Sequence, residues 1–177
     1  MKYALRVYII DVESRILKKK MNINLFDNLS ETARHKIYIV NNRKLDSTKT
    51  FLRKSDIKII NIGREISAQL SLLKKDRHLD IVITDILKKF IEQNINQMPD
   101  SPRKIAVIEN LGILLEPLFK LNAEKFLAEI SKNTHLFILW SGQINQQGLL
   151  NWTTKKDLFN LDFTEYNPKF INYPNEI

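Results

Sequence analysis

Apolar residues along the chain fall into short runs separated by stretches of helical period. Five runs rich in Ile, Val, Tyr and Phe read as strands: Lys36–Val40, Ile57–Ile62, Lys104–Ile108, Leu136–Trp140 and Phe170–Tyr173. The middle three are mostly apolar on both faces, as expected for strands buried between two helical layers. Between the runs, helices are predicted over Ser47–Lys54, Arg64–Lys75, Asp80–Asn94 and Leu121–Ser131. Ile66, Leu70 and Leu73 mark the apolar stripe of the second. Ile83, Ile86, Leu87, Phe90 and Ile91 mark that of the third. Leu121, Phe126, Leu127 and Ile130 mark that of the fourth, where Asn122 is the candidate N-cap.

The order βαβααβαβ predicts an α/β fold, a three-layer sandwich with a mostly parallel sheet and right-handed crossovers. Length and the lack of a long linker predict one domain over residues 1–177. Within it, residues 1–35 form a helical or extended lead-in, 36–142 the core and 143–177 a C-terminal extension. Loops are expected at Asn96–Pro102, with two prolines, and at Ser141–Gly148, bracketed by glycines.

In parallel sheets ligands gather at the C-terminal strand ends, so the residues there carry the search for chemistry. The first strand runs into Arg43, Lys44, Leu45, Asp46, Ser47, Thr48, Lys49 and Thr50. A P-loop has the pattern G-x-x-x-x-G-K-[S/T] between a strand and a helix. The Lys-Thr pair is present, but Arg43 and Thr48 replace both glycines. Those glycines let backbone N–H groups turn inward around phosphates, and Asp46 adds a negative charge to that cradle. Arg43, Ser47, Thr48, Lys49 and Thr50 are the candidate nucleotide-binding residues. The bland alternative is a polar turn with a solvated lysine.

The strand at 104–108 ends in Glu109 and Asn110. Glu109 stands where a Walker-B acid would hold Mg²⁺, making Thr50 and Glu109 candidate metal contacts and Glu109 and Asn110 the catalytic candidates. Ser141, after the strand ending at Trp140, is a candidate sensor of the γ-phosphate or attacking water. His35, His78 and His135 show no ligand spacing. No G-x-S-x-G motif is present.

Composition then narrows the classes. The absence of cysteine excludes a disulfide framework and thiolate chemistry. No ligand or metal is needed for a chain of this size to fold. Only four glycines occur, where average usage would give about twelve. Arg6, Asp11 and Glu13 break up the N-terminal apolar stretch, and no apolar run has transmembrane length, so a cytoplasmic protein is expected. The net charge is +8. Residues 1–89 carry 20 Lys and Arg against 10 Asp and Glu, and residues 90–177 carry 8 against 10. A basic half suits an anionic partner such as DNA, with Lys18, Lys19, Lys20, Arg43 and Lys44 as candidate contacts. A general drift towards Ile, Asn and Lys accounts for the charge equally well. Trp152, Phe159, Phe163 and Tyr166 are expected to cover the sheet rather than stack bases.

Taken together, several segments resemble the BrxF family, small P-loop proteins of type-3 BREX bacteriophage-defence systems and compact relatives of AAA+ ATPases. They are the strand leading to Lys49 and Thr50, then Asn61–Ser67, Val107–Leu118, Leu127–Asn133 and Phe137–Gly142. The similarity covers roughly residues 36–150. It implies a P-loop NTPase or AAA+-like core, with ATP at Lys49 and Thr50 and Mg²⁺ near Glu109. It also implies membership of a multi-protein complex that recognises foreign DNA, with other defence proteins as partners. Such domains commonly self-associate with nucleotide at the subunit boundary. A homo-oligomer is therefore expected, with Arg77, Arg103 and Lys132 as candidates to reach a neighbour's site. Family members carry a glycine-rich loop and normally Asp-Asn, where this chain has Arg43, Thr48 and Glu109-Asn110. The fold inference survives those departures, whereas the loss of the glycines predicts an impaired, non-hydrolysing site. The alternatives are an active ATPase with an atypical loop and a DNA-binding module on the basic half.

Overall fold

A computed structural model describes residues 26, 29–41, 45–70, 79–98, 102–145, 149–153 and 158–171. Lys18, Lys19, Lys20, Arg43, Lys44, Arg77 and His78 lie outside the described residues.

Strand β1 (Ile37–Val40) is followed by helix α1 (Leu45–Lys54) and strand β2 (Ile59–Asn61). Helices α2 (Ile62–Leu70) and α3 (Leu79–Gln93) come next. Strand β3 (Asn96–Gln97) pairs antiparallel with the start of β4 (Lys104–Glu109). Two 3₁₀ turns lead to α4 (Ala123–Ser131) and β5 (His135–Leu139). Asn122 caps α4 as expected, its side-chain oxygen accepting from the N–H of Lys125 at 2.7 Å.

The central sheet runs β2-β4-β5-β1-β9, with β9 spanning Lys169–Ile171 and every neighbour along that path parallel. Period-two alternation divides its side chains between two apolar layers. Ile37, Ile39, Ile60, Ala106, Ile108, Leu136 and Ile138 face α2, α3 and α4. On α3, Ile83, Leu87 and Ile91 repeat every four residues and are fully buried. Tyr38, Val40, Ile105, Val107, Phe137 and Leu139 face α1, Phe26 and Leu29. The α/β sandwich with a mostly parallel sheet therefore stands. Among the described residues, no helix is long and apolar enough to cross a membrane.

Several boundaries differ from the sequence reading: Ile62, the last residue of the expected second strand, opens α2, and the expected loop at Asn96–Pro102 begins with the short strand β3. Helix α1 starts at Leu45 rather than Ser47, because Leu45 packs into the same layer as Phe51 and Leu52. The stretch after Gly142 is not merely a loop and a cover. It forms a separate antiparallel sheet of β6 (Gln143–Ile144), β7 (Leu150–Thr153) and β8 (Leu158–Leu161). Leu150, Leu161 and Phe163 bury against the α2–α4 layer. The residues after them return to the central sheet as β9.

One buried group sets a pH dependence. The His135 ring stacks on Tyr38 at 5.9 Å, and its Nδ1 has no partner among the described residues. Burial pushes its pKa below the ordinary 6.5, Glu31 opposes the shift, and Lys36 and Arg103 reinforce it. As pH falls through 6.5 the unfolded chain therefore takes up the proton before the folded one, and stability declines. Thermal melts taken across that value should show a falling midpoint, and His135→Leu should flatten the fall. An equal slope in the variant would place the dependence elsewhere.

Candidate functional site

The register aligns the C-terminal strand ends in one row. Asn61 of β2 pairs with Glu109 of β4, Glu109 with Leu139 of β5, and Leu139 with Val40 of β1. From β1 the chain leaves through α1 on one face towards β2, while from β5 it continues past β1 to β9. Adjacent strands that depart in opposite directions make a topological switch point, where open α/β sheets bind ligands.

Lys49 and Glu109 meet at this end of the sheet. The Lys49 ammonium lies 2.6 Å from Glu109 Oε2, with both side chains about a quarter exposed or less. The other carboxylate oxygen, Oε1, accepts from the Asn61 amide at 3.1 Å. The Asn61 oxygen in turn accepts from the Arg64 backbone N–H at 2.9 Å and the Asn110 amide at 3.2 Å. Asn110 adopts a left-handed backbone, φ 58°, which asparagine tolerates. Its carbonyl accepts from the Gly63 N–H at 3.1 Å. A Cβ on Gly63 would stand 2.4 Å from the Asn110 amide nitrogen, so the β2–α2 turn fits closely against the β4 end.

The remaining candidates lie around this network. Thr48 is buried, and its hydroxyl has no partner among the described residues, so it faces the interior rather than a phosphate path. Ser47 and Thr50 are exposed on α1. Ser141 is also exposed, just beyond the buried Trp140, whose indole donates to the Gln143 carbonyl at 3.1 Å. Arg103 and Lys132 lie at the other end of the sheet. Arg103 precedes β4 and pairs with Glu31, while Lys132 follows α4 and pairs with Glu129. Neither reaches Glu109 within one copy of the chain.

Asn61 closes β2 as Glu109 closes β4, and nothing local in the sequence marks it as part of a site. A cavity of about 480 Å³ lies beside the network. Arg53, Lys58, Arg64 and Asp56 line it together with Asn61 and Glu109. Arg53 and Lys58 come from the end of α1 and the approach to β2, a region where the sequence shows only ordinary polar residues.

The described part of the stretch aligned with a P-loop is helical. In the alignment on Lys49-Thr50, positions 43–48 should loop around an anion. Residues 45–48 instead form the first turn of α1, and only 42–44 separate Asn41 from it. Lys49, which follows that turn, is paired with Glu109. Among the described residues, no group of three or more His, Asp or Glu could hold a metal ion.

In comparisons with known proteins, the chain matches no family model, no curated protein and no solved structure.

Proposed function

We propose that the chain is a P-loop-type, AAA+-like domain with an impaired nucleotide site, acting as a non-hydrolysing subunit of a BREX-like phage-defence assembly. The observation that carries the nucleotide part is the Lys49–Glu109 pair. The lysine that would neutralise a phosphate and the acid that would hold Mg²⁺ at the strand ends neutralise each other instead. The helical turn at 45–48 supports the same reading, because it takes four of the six positions of the aligned loop, 43–48, into α1. The resemblance of residues 36–150 to BrxF supports the assembly role. On this reading the Lys49–Glu109–Asn61 network braces α1, β4 and β2 against one another. The scaffold then presents its surfaces to partner proteins.

Isothermal titration with Mg-ATP tests it. The expected result is no micromolar binding, in wild type and in Lys49→Ala alike. Micromolar binding abolished by Lys49→Ala would overturn the impaired-site reading. Steady phosphate release that disappears in Glu109→Gln would establish an active ATPase in its place.

A further inference from the structure

The end of the sheet remote from Glu109 carries a second cleft, of about 630 Å³. It opens where β1 and β9 begin and where α4 ends. Arg34, Lys36, Lys125, Lys132 and Lys169 line it, against two carboxylates, Glu129 and Glu165. Lys132 pairs with Glu129 at 2.5 Å, which removes one charge of each sign. Lys36 reaches the Lys132 carbonyl at 3.4 Å and so also complements the C-terminal end of α4. That role does not extend to Arg34, Lys125 and Lys169, which are exposed and form no ion pair among the described residues. Three separate segments thus aim cations into one concavity, and a concave wall focuses their field.

The cleft also has an aromatic wall. Tyr166 is partly exposed and stands edge-on to His35, with ring centroids 5.1 Å apart. Small-molecule pockets are lined mainly by apolar side chains, and this one is lined by charge. Cations spread over several segments beside one accessible ring match the needs of a single nucleic-acid strand, which offers phosphates and unstacked bases together. A duplex keeps its bases stacked inside and has none to place on Tyr166.

We infer that this cleft binds single-stranded nucleic acid, with Arg34, Lys125 and Lys169 on phosphates and Tyr166 against a base. The site shares no residue with the Lys49–Glu109 network, so it stands whether or not ATP binds there.

Fluorescence anisotropy of the full chain with a labelled oligothymidylate tests the assignment. Three phosphate contacts predict a log–log salt slope of roughly −2 between about 50 mM and 200 mM salt. Arg34→Glu with Lys169→Glu should weaken binding at least about tenfold, and Arg34→Gln with Lys169→Gln somewhat less, both with wild-type melting midpoints. Tyr166→Leu should weaken binding of the oligonucleotide while leaving competition by inorganic polyphosphate unchanged. Three outcomes would overturn the proposal. They are wild-type affinity in both double variants, duplex bound as tightly as the single strand, and no binding at the lower salt.

Discussion

Phe137→Ala is expected to destabilise the fold by about 3–5 kcal/mol, the range for removing a buried aromatic ring. Phe137 sits in β5, with Val107 of β4 beside it on one side and Tyr38 of β1 on the other. It is 1% exposed. Its ring stacks on Tyr38 at 4.9 Å and meets Phe26 edge-on at 5.4 Å. Its neighbours among the described residues are paired strands and the underside of α1, which have little freedom to collapse into the space. The expected loss is a large part of the roughly 5–15 kcal/mol that holds a typical domain together. For a chain of this length it should lower the melting midpoint by roughly 6–20 °C. Among the described residues the layer facing α1 is the smaller of the two, and α1 carries Lys49. The variant should therefore also loosen the Lys49–Glu109 contact, seen as faster amide exchange in α1 than in α3. A midpoint within a few degrees of wild type would mean that this layer contributes little to the fold.

The central sheet was legible because its strands are apolar on both faces. Ile105–Ile108 and Leu136–Leu139 have few polar positions to confuse the period, and burial on both sides is what the parallel sheet requires. Helix α3 was legible for a related reason, since Ile83, Leu87 and Ile91 repeat at helical spacing. The small sheet β6–β8 was not. Its strands are two to four residues long, and Asn151, Thr153 and Asn160 interrupt the apolar pattern. What organises it is pairing between strands, which no local pattern encodes. The aromatic residues there were read correctly as cover in part: Phe163 is fully buried, and Trp152 meets Trp140 edge-on.

The site was legible residue by residue, and its connectivity was not. Strand-end reasoning reached Glu109 and Lys49 separately. Their contact depends on the spatial order β2-β4-β5-β1, in which β1 and β4 flank β5 although β2 follows β1 in the chain. The same order makes Asn61 the neighbour of Glu109. The start of α1 at Leu45 is not legible from the P-loop pattern, in which residues 45–48 are loop. Burial of Leu45 and Thr48 pulls that turn into the helix.

Gly142→Ala should be the second large effect, about 1–3 kcal/mol from overpacking alone. A Cβ there would lie 2.2 Å from the backbone oxygen of Asn151 and 2.9 Å from the Trp140 indole nitrogen. The Asn151 backbone has little freedom to retreat, because β7 is paired with Gln143 of β6 on one side and Asn160 of β8 on the other. The indole is held by its bond to the Gln143 carbonyl. Relief therefore requires β6–β8 to shift away from the end of β5, which Trp140 and Trp152 fluorescence should report alongside the melting midpoint. Gly112→Ala is the internal control. The nearest atoms to its added Cβ belong to the Trp152 ring, at 3.4 Å, an ordinary contact, and fewer unfolded conformations would favour the alanine by about 0.4–1 kcal/mol. A melting midpoint for Gly142→Ala equal to that of Gly112→Ala would show that β7 yields freely. The expected contrast gives the scarcity of glycine a physical meaning. Gly63 and Gly142 are kept where two pieces of chain pass too close for a side chain, and the position before Lys49, where a phosphate would need one, holds a buried threonine.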